Sequence, residues 1–210
     1  MNVTRLFSGL YVACEWVMRL AIVNLLWFGL TLLGGVIFGI TPASVAMFTI
    51  CRKWVEGERE IPLARTFWSI YRKEFVKSNY LGVILIAIGV LLFVDIQFFS
   101  SMEGAVFQLL HILMLLLLLN FVVIMIYIFP VYVYYDIKTL QYIKYAIIIG
   151  LTNPLQTLII AFYFVILYVL SINIVAVFIF LSVAPMSMLI MLVSYRIFNK
   201  IQQQVANQET

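Results

Sequence analysis

Residues 145–195 read YAIIIGLTNPLQTLIIAFYFVILYVLSINIVAVFIFLSVAPMSMLIMLVSY. These 51 residues contain no Asp, Glu, Lys or Arg. A membrane-spanning helix needs about 20 apolar residues, because each residue rises about 1.5 Å across a hydrocarbon core of about 30 Å. The run is therefore long enough to cross a membrane twice, and the polar residues Ser171 and Asn173 indicate the turn. We predict spans at 154–170 and 174–195.

The composition of the whole chain agrees with this interpretation. Of 210 residues, 65% are hydrophobic and 10% are charged, and the mean hydropathy is +1.13. Soluble domains are about 45–50% apolar and about 25% charged, so an ordinary soluble enzyme, a disordered chain and a disulfide scaffold are excluded. The net charge of +4 includes no basic run longer than two residues. It therefore indicates the basic cytoplasmic side of a membrane protein, with no nucleic-acid partner.

Three further runs without charge occupy 20–51, 78–94 and 104–135. The second run predicts a span at 80–98, and the third predicts one long span at 105–131. The first run is too long for one span and short for two.

Within the first run, Gly35 and Gly39 form a small-xxx-small pattern, which permits close approach of helices. Thr41 and Pro42 then predict a helix start, because Thr is a good N-cap and Pro suits the first helical position. We therefore expect helices at 19–38 and 42–55. The second helix is short, and the alternative to a full crossing is a re-entrant course.

The distribution of basic residues predicts the orientation. If the second helix crosses, all thirteen Lys and Arg fall on one side, which the positive-inside rule assigns to the cytoplasm, together with both termini. The sequence thus predicts an all-α, polytopic bundle of about six membrane helices. It forms one membrane domain over residues 1–210 and ends in a short polar tail at 200–210.

The segment 62–77 predicts an additional amphipathic helix on the cytoplasmic surface. Leu63, Phe67, Tyr71 and Phe75 recur every four residues, while basic residues occupy another face. Such a helix lies in the lipid interface with its aromatic face sunk and its basic face outward. The alternative is that a cytoplasmic partner docks on the basic face. The residues of that candidate partner surface are Arg65, Arg72 and Lys73.

Few polar groups lie within or next to the predicted spans, and each is a functional candidate because burial of polar groups in a membrane is costly. Glu15 and Arg19 are four residues apart and therefore can pair on one helix face. We expect His111 to be packed or hydrogen-bonded, and Asn24 and Asn120 to bond between helices. The sequence contains no catalytic motif, no metal-ligand spacing and no phosphate loop. We therefore expect no catalytic residues, no metal and no cofactor.

The first third of the chain resembles the YesL family of small bacterial membrane proteins. The resemblance begins with Asn24-Leu25-Leu26-Trp27 and with Gly39-Ile40-Thr41-Pro42 and the small residues that follow. It continues through Arg52-Lys53-Trp54 and Gly57, and ends with Phe67, Tyr71, Phe75 and Lys77-Ser78-Asn79. One departure is Thr41, where many members have Gly before Pro.

The resemblance implies a multi-pass protein of the bacterial cell membrane. It also implies a genomic association with carbohydrate importers of the ATP-binding-cassette (ABC) type and with two-component sensors. Our hypothesis is a non-enzymatic accessory protein in the lipid bilayer that assists the subunits of such an importer or a sensor histidine kinase. The alternative is a small oligomeric transporter, which requires Glu15, Asn24, His111 and Asn120 to converge on one path. The sequence leaves the oligomeric state open.

Overall fold

The structure is a computed structural model and describes residues 2–173 and 182–206. Within these ranges the chain is a helical membrane bundle, and the predicted all-α fold class is confirmed. The described helices are α1 (Asn2–Leu33), α2 (Ile37–Val55), α3 (Leu63–Ser100), α4 (Ala105–Tyr134), α5 (Thr139–Thr152), α6 (Pro154–Asn173) and α7 (Val183–Ala206).

Three stretches, Leu10–Leu33 of α1 and the whole of α3 and α4, are long and apolar enough to cross a membrane. A fourth span results if α5 and α6 count as one broken span, since they are bent by 96° at a short break. This count covers the described residues alone, so the six spans predicted from the sequence stay a prediction. The predicted span at 174–195 begins in residues that the structure does not describe.

Helix α2 lies at the centre of the bundle, where it contacts α1, α3, α4 and α7. Twelve of its 19 residues are buried, and many of these are small, which allows the surrounding helices to approach closely. A helix that is surrounded by protein does not need the continuous apolar surface of a lipid-facing span. This explains how so short a helix is accommodated.

The turn between α1 and α2 lies earlier than predicted. We expected a helix start at Thr41-Pro42, but α2 begins at Ile37 and both residues lie inside it. The chain turns at Gly35 and Val36, whose φ angles of 72° and 64° are left-handed. A glycine adopts this conformation without a steric penalty. The first helix correspondingly ends at Leu33 rather than at residue 38.

Pro42 is tolerated inside α2 because α3 replaces the hydrogen bond that proline cannot make. Proline has no backbone N–H, so the carbonyl four residues before it, that of Phe38, loses its helical donor. The side-chain Nδ2 of Asn79 donates to that oxygen at 2.9 Å, and it also donates to the carbonyl of Phe75 at 2.8 Å. Neighbouring helices commonly satisfy such carbonyls in membrane proteins.

The segment 62–77 is not a separate interfacial helix. It forms the first part of α3, a continuous helix of 38 residues that also includes the predicted span at 80–98. Nothing between Lys77 and Tyr80 breaks the helix, since the connecting residues Ser78 and Asn79 include neither Gly nor Pro. At about 1.5 Å per residue, α3 is about 57 Å long and exceeds a hydrocarbon core of about 30 Å.

The aromatic face of this first part of α3 packs against protein. Phe67 and Tyr71 are buried, and the hydroxyl of Tyr71 donates to the carbonyl of Leu30 in α1 at 3.0 Å. We predicted that these aromatic residues would be sunk in lipid. The amphipathic pattern was therefore interpreted correctly as a two-faced helix, but its apolar face contacts the bundle.

The end of the chain also differs from the prediction. Helix α6 begins at Pro154 as expected and extends to Asn173, beyond the predicted end at 170. Helix α7 continues through most of the predicted polar tail to Ala206. Residues 207–210 of that tail lie outside the described part of the chain.

Candidate functional site

A polar cavity of about 600 Å³ lies between α2, the first part of α3 and the end of α4. Three basic and two acidic residues line it: Arg52, Lys73, Lys77, Glu74 and Asp136. Tyrosines from the end of α4 complete the wall. We refer to this space as the polar cavity.

Both carboxylates of the polar cavity have partners. Lys77 Nζ lies 3.1 Å from Asp136 Oδ1, and the hydroxyl of Tyr132 donates to Glu74 Oε2 at 2.8 Å. The ammonium group of Lys77 also lies 5.5 Å from the centre of the Tyr132 ring. These contacts connect α3 to the end of α4 and to the loop that follows it.

Arg52 connects α2 to the same end of α4. Its Nη1 donates to the carbonyl of Val133 at 2.7 Å, and its Nε donates to Glu56 at 2.7 Å. Val133 is in the last turn of α4, where carbonyls lack helical donors and the helix dipole attracts a cation. The guanidinium also lies 5.2 Å from the centre of the Tyr134 ring. Arg52 is therefore part of the framework of the cavity.

Lys73 differs from the other charged residues of the polar cavity. Its side chain has no hydrogen bond or ion pair with any residue in the described ranges, although it lines the same space. Tyr135 stands at the edge of the cavity just after α4. Burial, followed by the neighbouring phenols of Tyr134 and Tyr145, raises the pKa of Tyr135, so its hydroxyl stays protonated.

A second cavity, of about 500 Å³, is lined by α1, α2, α4, α6 and α7. Its lining is mainly aromatic and aliphatic, and we call it the apolar cavity. Phe48 and Phe129 stack with their ring centres 5.6 Å apart and line its wall on α2 and α4. Trp27 also lines it, and its indole N–H donates to Ser44 Oγ at 3.1 Å.

Asn24 holds the start of α7 beside the apolar cavity. Its fully buried side-chain oxygen accepts hydrogen bonds from the backbone N–H groups of Val183 and Ala184, at 3.1 and 2.9 Å. The first N–H groups of a helix have no partner within that helix. A side chain from the middle of α1 therefore supplies the cap of α7 across 159 residues of sequence.

The structure divides the predicted partner surface. All three side chains are exposed, but Lys73 lines the polar cavity, whereas Arg65 and Arg72 lie outside it. The guanidinium of Arg72 lies 6.0 Å from the ring centre of Trp68, which is 47% exposed. We call the exposed residues Arg65, Trp68 and Arg72 the basic strip. Trp68 stacks in turn on Tyr71, with the ring centres 6.0 Å apart.

The four polar residues that a transport path would require lie in different surroundings. Glu15 pairs with Arg19, which also donates to the carbonyl of Arg59 at 2.7 Å. The side chain of Asn120 donates to the carbonyl of Leu116 in its own helix at 3.0 Å, while Asn24 caps α7. The Nδ1 atom of His111 is buried without a hydrogen-bond partner among the described residues. None of the four lines the polar or the apolar cavity.

Sequence reasoning missed the polar cavity because its contacts join residues far apart in the chain. Lys77 and Asp136 are 59 residues apart, and Arg52 and Val133 are 81 residues apart. One signal was available: Asp136 directly follows the charge-free run 104–135. A carboxylate at the end of a membrane helix was a reasonable partner for one of the basic residues of α3.

Several apolar helices that can span a membrane, packed around a buried central helix, define a multi-pass helical membrane protein. A family described as "Protein of unknown function, DUF624" matches residues 20–96, which include the stretch that carries the YesL resemblance. The chain belongs to this family, and the resemblance is confirmed.

Three relatives from Bacillus subtilis (strain 168) are similar to the chain over most of its length. "Uncharacterized protein YteU" is 36% identical over 193 residues, which are 90% of this chain and 85% of the relative. "Uncharacterized protein YesV" is 35% identical over 73% of this chain and 74% of the relative. "Uncharacterized protein YesL" is 32% identical over 93% of this chain and 92% of the relative. No solved structure matches the chain.

Proposed function

We propose that this protein is a non-enzymatic accessory protein of the bacterial cell membrane that docks a partner through the basic strip. The partner expected from the family resemblance is a subunit of a carbohydrate ABC importer or the sensor histidine kinase that accompanies it. The observation that carries the proposal is the exposed basic strip on a helix that is longer than a membrane is thick.

The chemistry of the basic strip favours an acidic protein surface. Tryptophan and arginine are enriched among the residues that dominate binding energy at protein interfaces. Trp68 is held by its stack on Tyr71, which is itself anchored to Leu30. A pre-oriented aromatic ring loses little conformational entropy on binding. Arg65 and Arg72 have no ion pair within the described part of the chain, so their charges are available to a carboxylate.

The proposed orientation puts the basic strip and both termini in the cytoplasm. Support comes from the contacts Arg52–Val133 and Lys77–Asp136, which collect basic residues at one end of the bundle, as the positive-inside rule requires. In living cells, a reporter enzyme that works only in the cytoplasm should be active when it is fused to either terminus. A reporter that works only outside the cytoplasm should be inactive at both. An externally exposed terminus would contradict this orientation.

Charge reversal tests the docking role. The double substitution Arg65→Glu and Arg72→Glu should abolish co-purification of the importer subunits or the sensor from native membranes, because an acidic partner would then be repelled. The matched control is Lys144→Glu with Lys200→Glu, which reverses two exposed charges on α5 and α7. The control should retain the partner. If the strip variant retains it equally, the basic strip is not the docking surface.

The second candidate function, a small oligomeric transporter, loses its predicted path, because Glu15, Asn24, His111 and Asn120 do not converge. One other observation still favours transport. Helices α5 and α6 meet at a 96° bend, and many transporters bind their substrates at broken helices. Purified protein in proteoliposomes would then move a small solute without any other subunit. Flux equal to that of empty vesicles, over a panel of sugars and amino acids, would count against this function.

A further inference from the structure

One cation of the polar cavity is left without a partner. Three cations and two carboxylates line the wall, and both carboxylates already accept a hydrogen bond or an ion pair. Glu56 pairs with Arg52 from outside the wall, so the charges of the whole cluster sum to zero. Among the described residues, the group that has neither a hydrogen bond nor an ion pair is the ammonium of Lys73.

The donors that remain available face the same space. Lys73 offers all three N–H groups of its ammonium, and among the described residues Lys77 donates one hydrogen bond, to Asp136. Arg52 uses Nε and Nη1, which leaves Nη2 without a hydrogen bond to the described residues. Cationic donors on two helices around one cavity suit an anion with several acceptor oxygens.

We propose that the polar cavity binds a phosphate-type oxyanion, with Lys73 as its main ligand and Lys77 and Arg52 as supporting donors. A volume of about 600 Å³ lies within the usual range of small-ligand pockets and accommodates a phosphate with an attached polar group. This site does not depend on the docking role, because the basic strip and the cavity lie on different faces of α3.

Two sources can supply such an oxyanion: the headgroup of an anionic phospholipid and a phosphate in solution. The cavity lies where the charge-free run 78–94 begins and the run 104–135 ends, so it is next to the membrane boundary. Basic pockets between helices at this position bind anionic headgroups. Lipid and soluble phosphate therefore form separate arms of the test.

The experiment uses the full-length protein in detergent and compares Lys73→Gln with Lys144→Gln. Both variants lose the charge of one exposed lysine, but only Lys73 lines the cavity. Retention of phosphatidylglycerol relative to phosphatidylcholine is measured by native mass spectrometry. Inorganic phosphate is titrated against chloride at equal ionic strength, with thermal unfolding as the readout. Lys73→Gln should weaken binding about fivefold, the contribution of one basic residue near an anionic surface, and Lys144→Gln should not.

The outcomes separate the sources and can overturn the site. Loss of phosphatidylglycerol selectivity only in Lys73→Gln supports a headgroup, and loss of stabilisation by inorganic phosphate only in that variant supports a soluble ligand. Asp136→Asn should strengthen binding because it releases Lys77, and a gain of this kind cannot arise from misfolding. Equal effects of Lys73→Gln and Lys144→Gln, or no response to either probe, would show that the cavity binds no oxyanion.

Discussion

The two cavities differ in how their walls are held together, although α2 and α4 contribute to both. The polar cavity is framed by charges, and the groups in its contacts are partly exposed: the side chain of Lys77 is 50% exposed and that of Asp136 is 96% exposed. The apolar cavity is framed by stacked rings and by the fully buried Asn24. One wall therefore depends on interactions that water and salt screen, and the other on interactions that they do not reach.

This difference separates stability from binding. A hydrogen bond in a dry environment is expensive to lose, because the groups left behind find no substitute partner. A screened ion pair contributes little to stability, but its charges remain available to a ligand. The apolar side should therefore determine whether the bundle holds together, and the polar side should determine what it binds.

The largest effect is expected for Asn24→Ala. It leaves the N–H groups of Val183 and Ala184 without their acceptor, which should lower the free energy of unfolding by about 2–3 kcal/mol. Unfolding in detergent mixtures measures this change at low and high salt, and the loss should be the same at both. Asn120→Ala is the control, because within the described part of the chain that amide bonds to its own helix. If Asn24→Ala lowers the free energy of unfolding no more than the control does, the cap that Asn24 provides does not stabilise α7.

An intermediate effect is expected for Arg52→Ala, on the polar side. It removes the donor to the Val133 carbonyl and the partner of Glu56, and should destabilise the bundle by about 1–2 kcal/mol. This loss should shrink in 1 M salt, since the side chain of Arg52 is 33% exposed. Lys53→Ala removes a neighbouring cation that pairs with the exposed Glu58 and should have little effect. A loss that is independent of salt would contradict the proposed contrast between the cavities.

The smallest effect is expected for Lys77→Ala. Its ion pair with Asp136 is exposed, so its removal should change the free energy of unfolding by less than about 0.5 kcal/mol. Unfolding in detergent mixtures measures this change too, with the exposed Lys144→Ala for comparison. A loss above 1 kcal/mol would mean that the polar wall is structural after all.

The sequence was sufficient for the class of fold and insufficient for the paths of its helices. Charge-free runs revealed the membrane helices because the hydrocarbon core has a fixed thickness. The length of a charge-free run did not predict the bounds of α2, because its neighbours shield that helix from lipid. It did not predict the bounds of α3 either, because that helix is longer than the hydrocarbon core is thick. Thr41-Pro42 has the features of a helix start. The helix continues through it because the side-chain amide of Asn79, from α3, donates to the carbonyl that Pro42 leaves without a donor.

The candidate sites show the same limit. The four-residue repeat of aromatic residues predicted the basic face of α3. The pairing of Glu15 with Arg19 was also predictable, because side chains four residues apart lie together on any helix. The partition of Arg72 and Lys73 between a surface and a cavity depends on what covers each face. That information lies in α2 and α4, and Tyr132 of α4 is also the partner of Glu74.

The hydrogen bond from Asn79 to the carbonyl of Phe38 has an evolutionary consequence. Proline at position 42 creates the need for a donor, and asparagine at position 79 meets it, so neither is advantageous alone. Relatives that replace Pro42 with a residue bearing an N–H should be free to replace Asn79, and those that keep the proline should keep a donor. The two positions should therefore covary across the family, although they are 37 residues apart in the chain.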